Sequence, residues 1–252
     1  MTRLFVDSRV REHSALELSG DKSHYLSVVL RSAPGDTLIV TDTDGGSFHA
    51  RISSFGKKTA RLDILDRCEP LPEPPLRIVL LQGLLKGEKM DLVIQKATEL
   101  GVAQVIPVIT ERSLVRETRK LERWKKIAEE AARQCGRVSI PDIAEPRELS
   151  EAMKDVDASS PKIIFWEQGG APFSSVLGTA AGRERIILCT GPEGGFSEAE
   201  VSAANAEGFR TASLGQRILR AETAAIAAVS ITQYVLGDLS GLQQMPSSPI
   251  SK

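Results

Sequence analysis

Few residues in this sequence could cross-link the chain or hold a metal. The 252 residues include three cysteines, Cys68, Cys135 and Cys189, which lie far apart and are odd in number. Their spacing matches neither a disulfide framework nor a metal site, which is usual in a reducing compartment. No apolar run approaches the roughly 20 residues of a membrane helix, and no signal-peptide segment is recognisable at the N-terminus. We therefore expect a cytoplasmic protein with no membrane segment and no bound metal.

A strong net charge of either sign is also lacking. The formal net charge is −1, so no global basic field indicates a nucleic-acid partner, and any such surface must be local. The one clear basic excess lies in residues 112–137, where nine Lys and Arg stand against four Glu, a net charge of +5. This stretch is either the solvated face of a helix or a stripe that contacts RNA phosphates.

Prolines mark the clearest boundary in the chain. Four of the six residues from 70 to 75 are proline, which favours a stiff, extended linker. Residues 1–69 form a small β-rich domain by their pattern, with a hairpin turn at residues 44–46 and a short helix predicted over 24–31. Residues 76–238 form the second predicted domain. The tail, residues 239–252, is rich in serine and proline, and we expect it to be disordered.

The second domain alternates short apolar runs with helical patterns. Strands are predicted at 78–81, 105–109, 162–166, 186–189 and 212–214, helices at 88–100, 121–135 and 221–236, and a weaker strand and helix within 140–153. This alternation is typical of an α/β domain with a largely parallel sheet and helices on both faces. The last helix is rich in alanine, and we expect a homodimer to pack partly through its stripe of Ala225, Ala228, Val229, Thr232 and Val235.

Two glycine-containing turns stand out, each between an apolar run and a helical pattern. The first spans Gly191 to Gly195, and Ser197 with Glu200 then predicts a capping box. The second contains Gly215 and leads into the last helix, with Glu222 in its first turn. Loops at the ends of strands that open helices are where open α/β sheets bind small molecules.

The first turn does not match the common phosphate-binding signatures. It fits neither the P-loop nor the dinucleotide fingerprint, and Glu193 would repel a phosphate. The same carboxylate would suit a ligand with a positive charge or hydroxyl groups. The alternative is that Gly191, Gly194 and Gly195 only let the chain turn at positive φ.

The two turns together resemble the cofactor-binding region of the SPOUT methyltransferases, and most closely the RsmE family, the ribosomal RNA small subunit methyltransferases E. The resemblance rests on Gly-Pro-Glu-Gly-Gly-Phe from Gly191 and on Leu-Gly-Gln-Arg-Ile-Leu-Arg-Ala-Glu-Thr-Ala from Leu214. It extends to residues 87–90, 95–101, 111–113 and 134–137 and to the N-terminal domain at residues 29–31 and 34–35. It covers about residues 3–238 and leaves the tail outside.

The resemblance implies a fold, an activity and an assembly. The fold is an α/β domain of the SPOUT type with a trefoil knot, preceded by a small PUA-like β-barrel domain that binds RNA. The activity is transfer of a methyl group from S-adenosylmethionine to N3 of a uridine in 16S rRNA of the small ribosomal subunit. The assembly is a homodimer with the knot region at its interface.

The resemblance also implies a set of site residues. The cofactor-binding residues would be Gly191, Glu193, Gly194, Gly195, Leu214, Gly215, Arg217, Leu219 and Thr223. The catalytic residues would be Arg220 and Glu222, for which an ion pair inside the knot is the alternative. The residues expected to contact RNA are Arg3, Arg9 and Arg31 in the first domain and Lys125, Lys126 and Arg133 in the basic stretch.

The chemistry of these residues agrees with a sulfonium donor. An acidic glycine turn without lysine suits a cationic cofactor, and methyl transfer requires positioning more than acid catalysis. All three histidines, His13, His24 and His49, precede the linker, so we expect an arginine to stabilise the uridine anion. Two other functions stay open: a nucleotide-dependent enzyme using the same strand ends, and an RNA-binding factor without catalysis.

Overall fold

The computed structural model describes residues 2–69 and 72–241. The chain divides into two compact units, one of residues 1–73 with 132–139 and one of residues 74–131 with 140–252. The domain limits deduced from the sequence stay a prediction, and most of the tail expected to be disordered, residues 242–252, lies outside the described residues. No helix in the described ranges is long and apolar enough to cross a membrane.

The first unit is built on one five-stranded sheet. Its strands are β1 (Arg3–Phe5), β2 (Ala15–Ser19), β3 (Thr37–Thr41), β4 (Ser47–Phe55) and β5 (Thr59–Cys68). The order is β1-β3-β4-β5-β2, with β1 parallel to β3 and the other pairs antiparallel. The predicted hairpin is thus confirmed as β3 and β4. Within the described residues β1 and β2 are the edges of the sheet, and closure into a barrel stays a prediction.

The helical segment of this unit differs from the prediction. Helix α1 spans Gly20–His24 and continues as a π-helical turn over Tyr25–Val29, so the helix begins four residues before the predicted start at His24. Ser19 at the N-cap is extended, and the left-handed Arg31, at φ 54°, follows the end of the segment. The first turn, residues 20–23, contains no apolar side chain and so gave no periodic signal.

The second unit is a largely parallel sheet covered by helices. Its strands are β6 (Arg77–Gly83), β7 (Val102–Ile109), β8 (Asp142–Ile143), β9 (Arg147–Glu148), β10 (Lys162–Phe165), β11 (Ala171–Pro172), β12 (Arg185–Thr190) and β13 (Phe209–Ser213). The order is β11-β13-β10-β12-β6-β7-β8, with β9 also paired to β7. Every ladder described in this sheet is parallel, which confirms the prediction.

Helices cover both faces of this sheet. They are α2 (Lys89–Glu99), α3 (Leu121–Cys135), α4 (Leu149–Asp155), α5 (Phe173–Gly178), α6 (Glu198–Ala206) and α7 (Ala221–Leu236). One buried cluster joins Leu80 and Leu188 of the sheet to residues of α2, α3, α5 and α7. The other joins Leu81 and Ile187, which point the opposite way, to α4 and α6. Alternate strand residues therefore supply two separate cores.

Two predicted helix features have different outcomes. The capping box is confirmed: Ser197 Oγ accepts the backbone N–H of Glu200, and the Glu200 carboxylate accepts that of Ser197. The predicted dimer stripe of α7 is wrong for four of its five residues, because Ala225, Ala228, Val229 and Thr232 are buried within the chain, whereas Val235 is 53% exposed. The first three of these belong to the same core cluster as Met90 and Ile94 of α2.

Candidate active site

The two glycine turns lie close together because of the strand order. The first follows β12 and the second follows β13, and β10 lies between these strands. In a parallel sheet their carboxyl ends meet at one edge, where open α/β sheets bind ligands. A cavity of about 590 Å³ opens there. Its walls include the predicted residues Gly191, Glu193, Gly194, Gly195, Leu214, Gly215, Arg217, Leu219 and Arg220.

The last residues of β6 contact the first turn and fix its position. Thr190 Oγ1 donates to Gln82 Oε1 at 2.8 Å, and Gln82 Nε2 approaches the carbonyl oxygen of Gly191 at 3.3 Å. A Cβ on Gly83 would lie 2.6 Å from Cδ of Pro192 and 2.7 Å from the carbonyl carbon of Gly191. The turn therefore needs glycine in the neighbouring strand as well as in itself, a requirement that sequence reasoning missed.

The turn itself needs glycine at two consecutive positions. Gly195 adopts φ +66°, where side chains other than glycine are strained. A Cβ on Gly194 would lie 2.9 Å from Cβ and 3.0 Å from the carbonyl oxygen of Arg112, in the segment that follows β7. The same segment contacts helix α6, because the backbone N–H of Glu111 donates to Glu200 Oε1 at 2.7 Å. Three strand ends thus fix the shape of this wall.

Glu193 is an ionised carboxylate in the cavity wall. Its Oε1 accepts the backbone N–H of Lys86 and the ammonium of Lys89, both at 3.1 Å. Burial alone would raise the pKa of Glu193, but these two donors favour the charged form more strongly and hold the pKa below its ordinary value. Its other oxygen, Oε2, is buried without a hydrogen-bond partner. The wall therefore carries a carboxylate that pairs with Lys89 through one oxygen and leaves the other oxygen without a donor.

Glu222 adds a second carboxylate beside the same lysine. Its side chain is 11% exposed, and Oε2 lies 4.0 Å from Nζ of Lys89 and has no hydrogen-bond partner. The alternative of an Arg220–Glu222 ion pair does not describe this structure, since Glu222 faces Lys89 and Arg220 is exposed at the N-cap of α7. Glu222 is near the cavity but does not line it, and neither does the exposed Thr223.

A third segment of the wall was missed. Trp166, Glu167 and Gln168, which follow β10, line the cavity between the two turns. A Cβ on Gly195 would come within 2.7 Å of Glu167 Oε1, and Nε1 of Trp166 is buried without a partner. The only sequence signal for this segment was that it follows an apolar strand. Which strand ends meet depends on the strand order, and the sequence does not give that order.

The second turn forms the outer wall. Gly215 adopts φ +108°, and its backbone N–H approaches Ser213 Oγ at 3.3 Å. Arg217 and Arg220 are both exposed and line the cavity, and Ile218 between them is 85% exposed. The turn thus offers two guanidinium groups and one apolar side chain to whatever binds at the mouth of the cavity.

No cysteine at this site is a ready nucleophile. Burial raises the pKa of the Cys189 thiol, in the next-to-last residue of β12, well above its ordinary value. The thiol is therefore protonated and inert at neutral pH. In the described ranges no group of three or more His, Cys, Asp or Glu side chains is arranged to hold a metal ion.

The residues expected to contact RNA differ in their surroundings. Arg3 is 6% exposed, and its guanidinium donates to Thr41 Oγ1 at 2.6 Å and Ser47 Oγ at 2.8 Å inside the first unit. An interior arginine with these partners cannot reach a phosphate, so we leave Arg3 out of the RNA-facing set. Arg31 is exposed, and Arg9 is exposed and paired with Asp44 at 2.7 Å.

The basic stretch has mixed surroundings as well. Lys125 is exposed and pairs with Glu122 at 3.0 Å, and Lys126 is exposed. The guanidinium of Arg133 lies 4.3 Å from the ring centroid of Tyr25, and both residues belong to the first unit. Part of this stretch is therefore a solvated helix face with ion pairs within the helix, the first of the two alternatives drawn from the sequence. Another part contributes to packing.

Both halves of the chain match known domain families. Residues 72–233 match the RNA methyltransferase domain, and residues 18–65 match the RNA methyltransferase PUA domain. The ribosomal RNA small subunit methyltransferase E of Bacillus subtilis is 31% identical over 96% of this chain and 100% of its own length. The protein of the same name from Synechocystis is 35% identical over 90% of this chain and 76% of its own length.

Solved structures of similar proteins contain the expected cofactor. A methyltransferase from Legionella pneumophila, solved with bound S-adenosylmethionine, is 35% identical with a TM-score of 0.88 over 94% of this chain and 99% of that one. The Neisseria gonorrhoeae RsmE, also bound to S-adenosylmethionine, is 32% identical with a TM-score of 0.88 over 95% of this chain and 99% of that one. The chain therefore belongs to the RsmE family of ribosomal RNA small subunit methyltransferases.

Proposed function

We propose that this protein transfers the methyl group of S-adenosylmethionine to N3 of a uridine in the 16S rRNA of the small ribosomal subunit. The observation that carries the proposal is the acidic glycine turn, Gly191–Gly195, whose Glu193 faces a cavity at the carboxyl ends of parallel strands. The family membership of the chain and the cofactor held by two of its relatives support the same reaction.

The residues present fit a cationic, hydroxyl-bearing cofactor. Two glycines let the turn pack closely against the other segments of the wall, because Cβ atoms there would meet Arg112 and Glu167. Glu193 and Glu222 share a single lysine, and each retains a buried oxygen without a partner. The two carboxylates place negative charge beside a bound cation, which suits a sulfonium. Bound here, S-adenosylmethionine supplies an electrophilic methyl group.

The protein must then accept the proton from N3 of uridine and stabilise the negative charge that develops on the uracil ring. The bond from N3 to the methyl carbon would form as the bond from that carbon to the sulfonium sulfur breaks, which leaves S-adenosylhomocysteine. The N–H bond at N3 of uridine also breaks, and the ring oxygens carry negative charge while the proton leaves. Arg220, exposed at the rim of the cavity, would stabilise that charge electrostatically. Glu222 or a water molecule would accept the proton. Most of the rate gain then comes from holding the nucleotide in line with the cofactor.

The substrate can be identified by methyl transfer from labelled cofactor. We expect tritium to pass from S-adenosylmethionine to 16S rRNA that lacks this modification, with free rRNA and assembled subunits assayed side by side. Nucleoside analysis by mass spectrometry should then give N3-methyluridine. Binding of ATP or NAD without S-adenosylmethionine would favour a nucleotide-dependent enzyme, and RNA binding without methyl transfer would favour a non-catalytic factor.

RNA selection is assigned to charged residues outside the cavity. Arg9 and Arg31 in the first unit, with Lys125, Lys126 and Arg133 of the basic stretch, form the proposed contact set. Each cation that neutralises a phosphate steepens the dependence of binding on salt. Reversal of Lys125 and Lys126 to Glu should therefore weaken RNA binding and flatten its salt dependence. An unchanged slope would leave that face without a role in RNA binding.

Three further features complete the proposal. The polypeptide of the second unit forms a trefoil knot, the protein works in the cytoplasm, and it is a homodimer. The exposed apolar side of α7, with Ile231, Tyr234 and Val235, supports pairing through this helix on the face opposite the buried stripe. Light scattering at micromolar concentration should give the dimer mass, and Tyr234→Glu should shift it toward the monomer. A monomeric wild type would contradict the dimer.

A further inference from the structure

A second cavity lies at the amino-terminal ends of the strands of the large sheet, opposite the active-site cavity. It has a volume of about 530 Å³ and lies at the amino-terminal ends of β10 and β13. The active-site cavity lies at the carboxyl ends of the same strands, so the two share no lining residue. The segment after α5 and the end of α6 complete its walls. Nothing in the proposed methyl transfer uses this cavity.

A buried lysine faces this cavity. Lys162, the first residue of β10, is 8% exposed and lines the wall. Its ammonium donates to the carbonyl oxygen of Glu207 at 2.8 Å and lies 5.6 Å from the ring centroid of Phe209. In the described ranges no carboxylate pairs with it. Buried charges are normally paired with an opposite charge, so this ammonium has room for an anionic partner.

Two arginines add positive charge around it. Arg183 and Arg210 also line the cavity, and Nη1 of Arg210 donates to Thr179 Oγ1 at 2.6 Å, which holds that guanidinium at the wall. The only acidic residue in the lining is Glu207. Three cations against one carboxylate give the cavity a local charge of +2, although the whole chain carries −1.

A carboxylate next to the lining segment is already engaged. Asp157 lies just before the lining segment and accepts the backbone N–H of Ser159 at 2.9 Å and the hydroxyl groups of Ser160 and Ser159, both at 2.8 Å. These hydrogen bonds hold the pKa of Asp157 at about 2. Its side chain is directed to this turn and to Arg185, at 3.9 Å, rather than to Lys162. The positive character of the cavity is therefore not cancelled by its surroundings.

We propose that this cavity is a phosphate-binding site. Guanidinium groups present several N–H donors in a plane that matches phosphate oxygens, and a lysine ammonium adds a point charge. The phosphate belongs either to the backbone of an RNA strand or to a free phosphate or phosphorylated metabolite. Binding here is a property of the second unit and does not depend on the cofactor or on methyl transfer.

Three variants of the full-length protein test the site. Lys162→Met keeps the length of the side chain and removes its charge. The double variant Arg183→Gln/Arg210→Gln removes the charge at two exposed positions, where loss of folding is not expected. Lys154→Met is the control, because Lys154 is an exposed lysine of α4 outside the cavity. S-adenosylmethionine affinity should be the same in all of them.

The first measurement is thermal unfolding in inorganic phosphate against chloride of equal ionic strength. Phosphate should raise the melting temperature of the wild type and of Lys154→Met, since a ligand of the native state stabilises it. The increase should be absent in the other two variants. The second measurement is fluorescence anisotropy with a single-stranded RNA dodecamer, in which loss of one phosphate contact lowers the salt slope by about 0.7.

The two measurements separate the sources. A phosphate effect without any change in RNA binding identifies a free phosphate ligand, and a lower RNA salt slope in the cavity variants identifies the RNA backbone. If Lys162→Met does not fold, the test rests on the double variant Arg183→Gln/Arg210→Gln. The proposal is overturned if the wild type and the arginine variant respond identically to phosphate and bind RNA with the same salt slope.

Discussion

Lys89 Nζ lies 3.1 Å from Oε1 of Glu193, which joins the first turn of helix α2 to the glycine turn after β12. The contact spans 104 residues of chain and fixes a carboxylate in the wall of the active-site cavity. The same ammonium lies 4.0 Å from Glu222 of α7. One lysine therefore lies between two carboxylates, one in the cavity wall and one near it.

Glu193→Gln should weaken binding of S-adenosylmethionine about tenfold, or about 1.4 kcal/mol. The amide retains the shape of the side chain but removes the negative charge, which leaves Lys89 without its closer partner beside a cationic ligand. Calorimetry measures the affinity. Glu198→Gln, at an exposed glutamate in the first turn of α6, is the matched control and should bind like the wild type. Equal affinities of the two variants would remove Glu193 from the site.

Gly83→Ala, at the end of the neighbouring strand β6, should distort the glycine turn Gly191–Gly195. The new methyl group would lie 2.6 Å from Cδ of Pro192 and 2.7 Å from the carbonyl carbon of Gly191, so the turn must move. Overpacking of this kind costs about 1–3 kcal/mol, and cofactor affinity should fall by more than tenfold. Gly178→Ala is the control, because nothing lies within 4 Å of a Cβ there. Wild-type affinity in Gly83→Ala would mean that the turn adapts.

Ser197→Ala should destabilise the protein by about 1 kcal/mol, the usual cost of losing an N-cap. The hydroxyl accepts the backbone N–H of Glu200 at 3.2 Å, and alanine leaves this N–H at the start of α6 without its partner. Thermal unfolding measures the change. Ser202→Ala, at an exposed serine within the same helix, removes a hydroxyl without a capping role. The Ser197 variant should be clearly less stable than this control.

The Glu73–Arg137 pair in the first unit makes stability depend on pH. Burial alone would raise the pKa of Glu73, but the hydrogen bonds and charge of Arg137, at 2.8 Å, and the backbone N–H of Ser139 lower it below its ordinary value. A lowered carboxyl pKa contributes stability above the unfolded pKa of about 4.3 and loses it as the pH falls through the folded value.

Glu73→Gln should therefore be less stable than the wild type at pH 7, and the difference should shrink as the pH falls below about 4.3. Melting temperatures of both proteins over this range measure it. Glu17→Gln, at an exposed glutamate of β2, should follow the wild type throughout. A difference that stays constant with pH would show that the pair does not contribute through ionisation.

Local signals predicted much of this structure. The capping box at Ser197 and the limits of α3 and α7 depend on residues three or four apart, and the structure agrees with them. Both turns of the site were found because glycine, proline and a carboxylate are concentrated there. Short elements with few residues, such as α5 and the two-residue strands β9 and β11, were missed because they contain too few positions to show a period.

What the sequence could not give is the set of contacts made across the sheet. Trp166 reaches the cavity because β10 lies between β12 and β13, and Gly83 matters because β6 is the neighbour of β12. In the sequence Lys89 stood out only as part of a family motif. Its carboxylate partners, Glu193 and Glu222, lie more than 100 residues away. The burial of Arg3 was hidden for the same reason, since its partners Thr41 and Ser47 belong to other strands.

The proton and charge of uridine N3 give the last prediction. Histidine is the commonest general base near neutrality, but all three histidines of this chain precede residue 50, whereas Arg217 and Arg220 line the active-site cavity. We expect Arg220 to stabilise the uridine anion and Glu222 or water to accept the proton.

Arg220→Lys keeps the charge but loses the planar pair of donors. It should lower the single-turnover rate of methyl transfer at least tenfold and change cofactor affinity much less, whereas Arg217→Lys should have the smaller effect on the rate. Replacement of His13, His24 and His49 by Asn should leave the rate within a few-fold of the wild type. Rapid-quench assays with saturating cofactor and RNA measure all three variants. If the histidine variant binds both ligands normally and loses most of its activity, a histidine removes the proton and the arginine account is wrong.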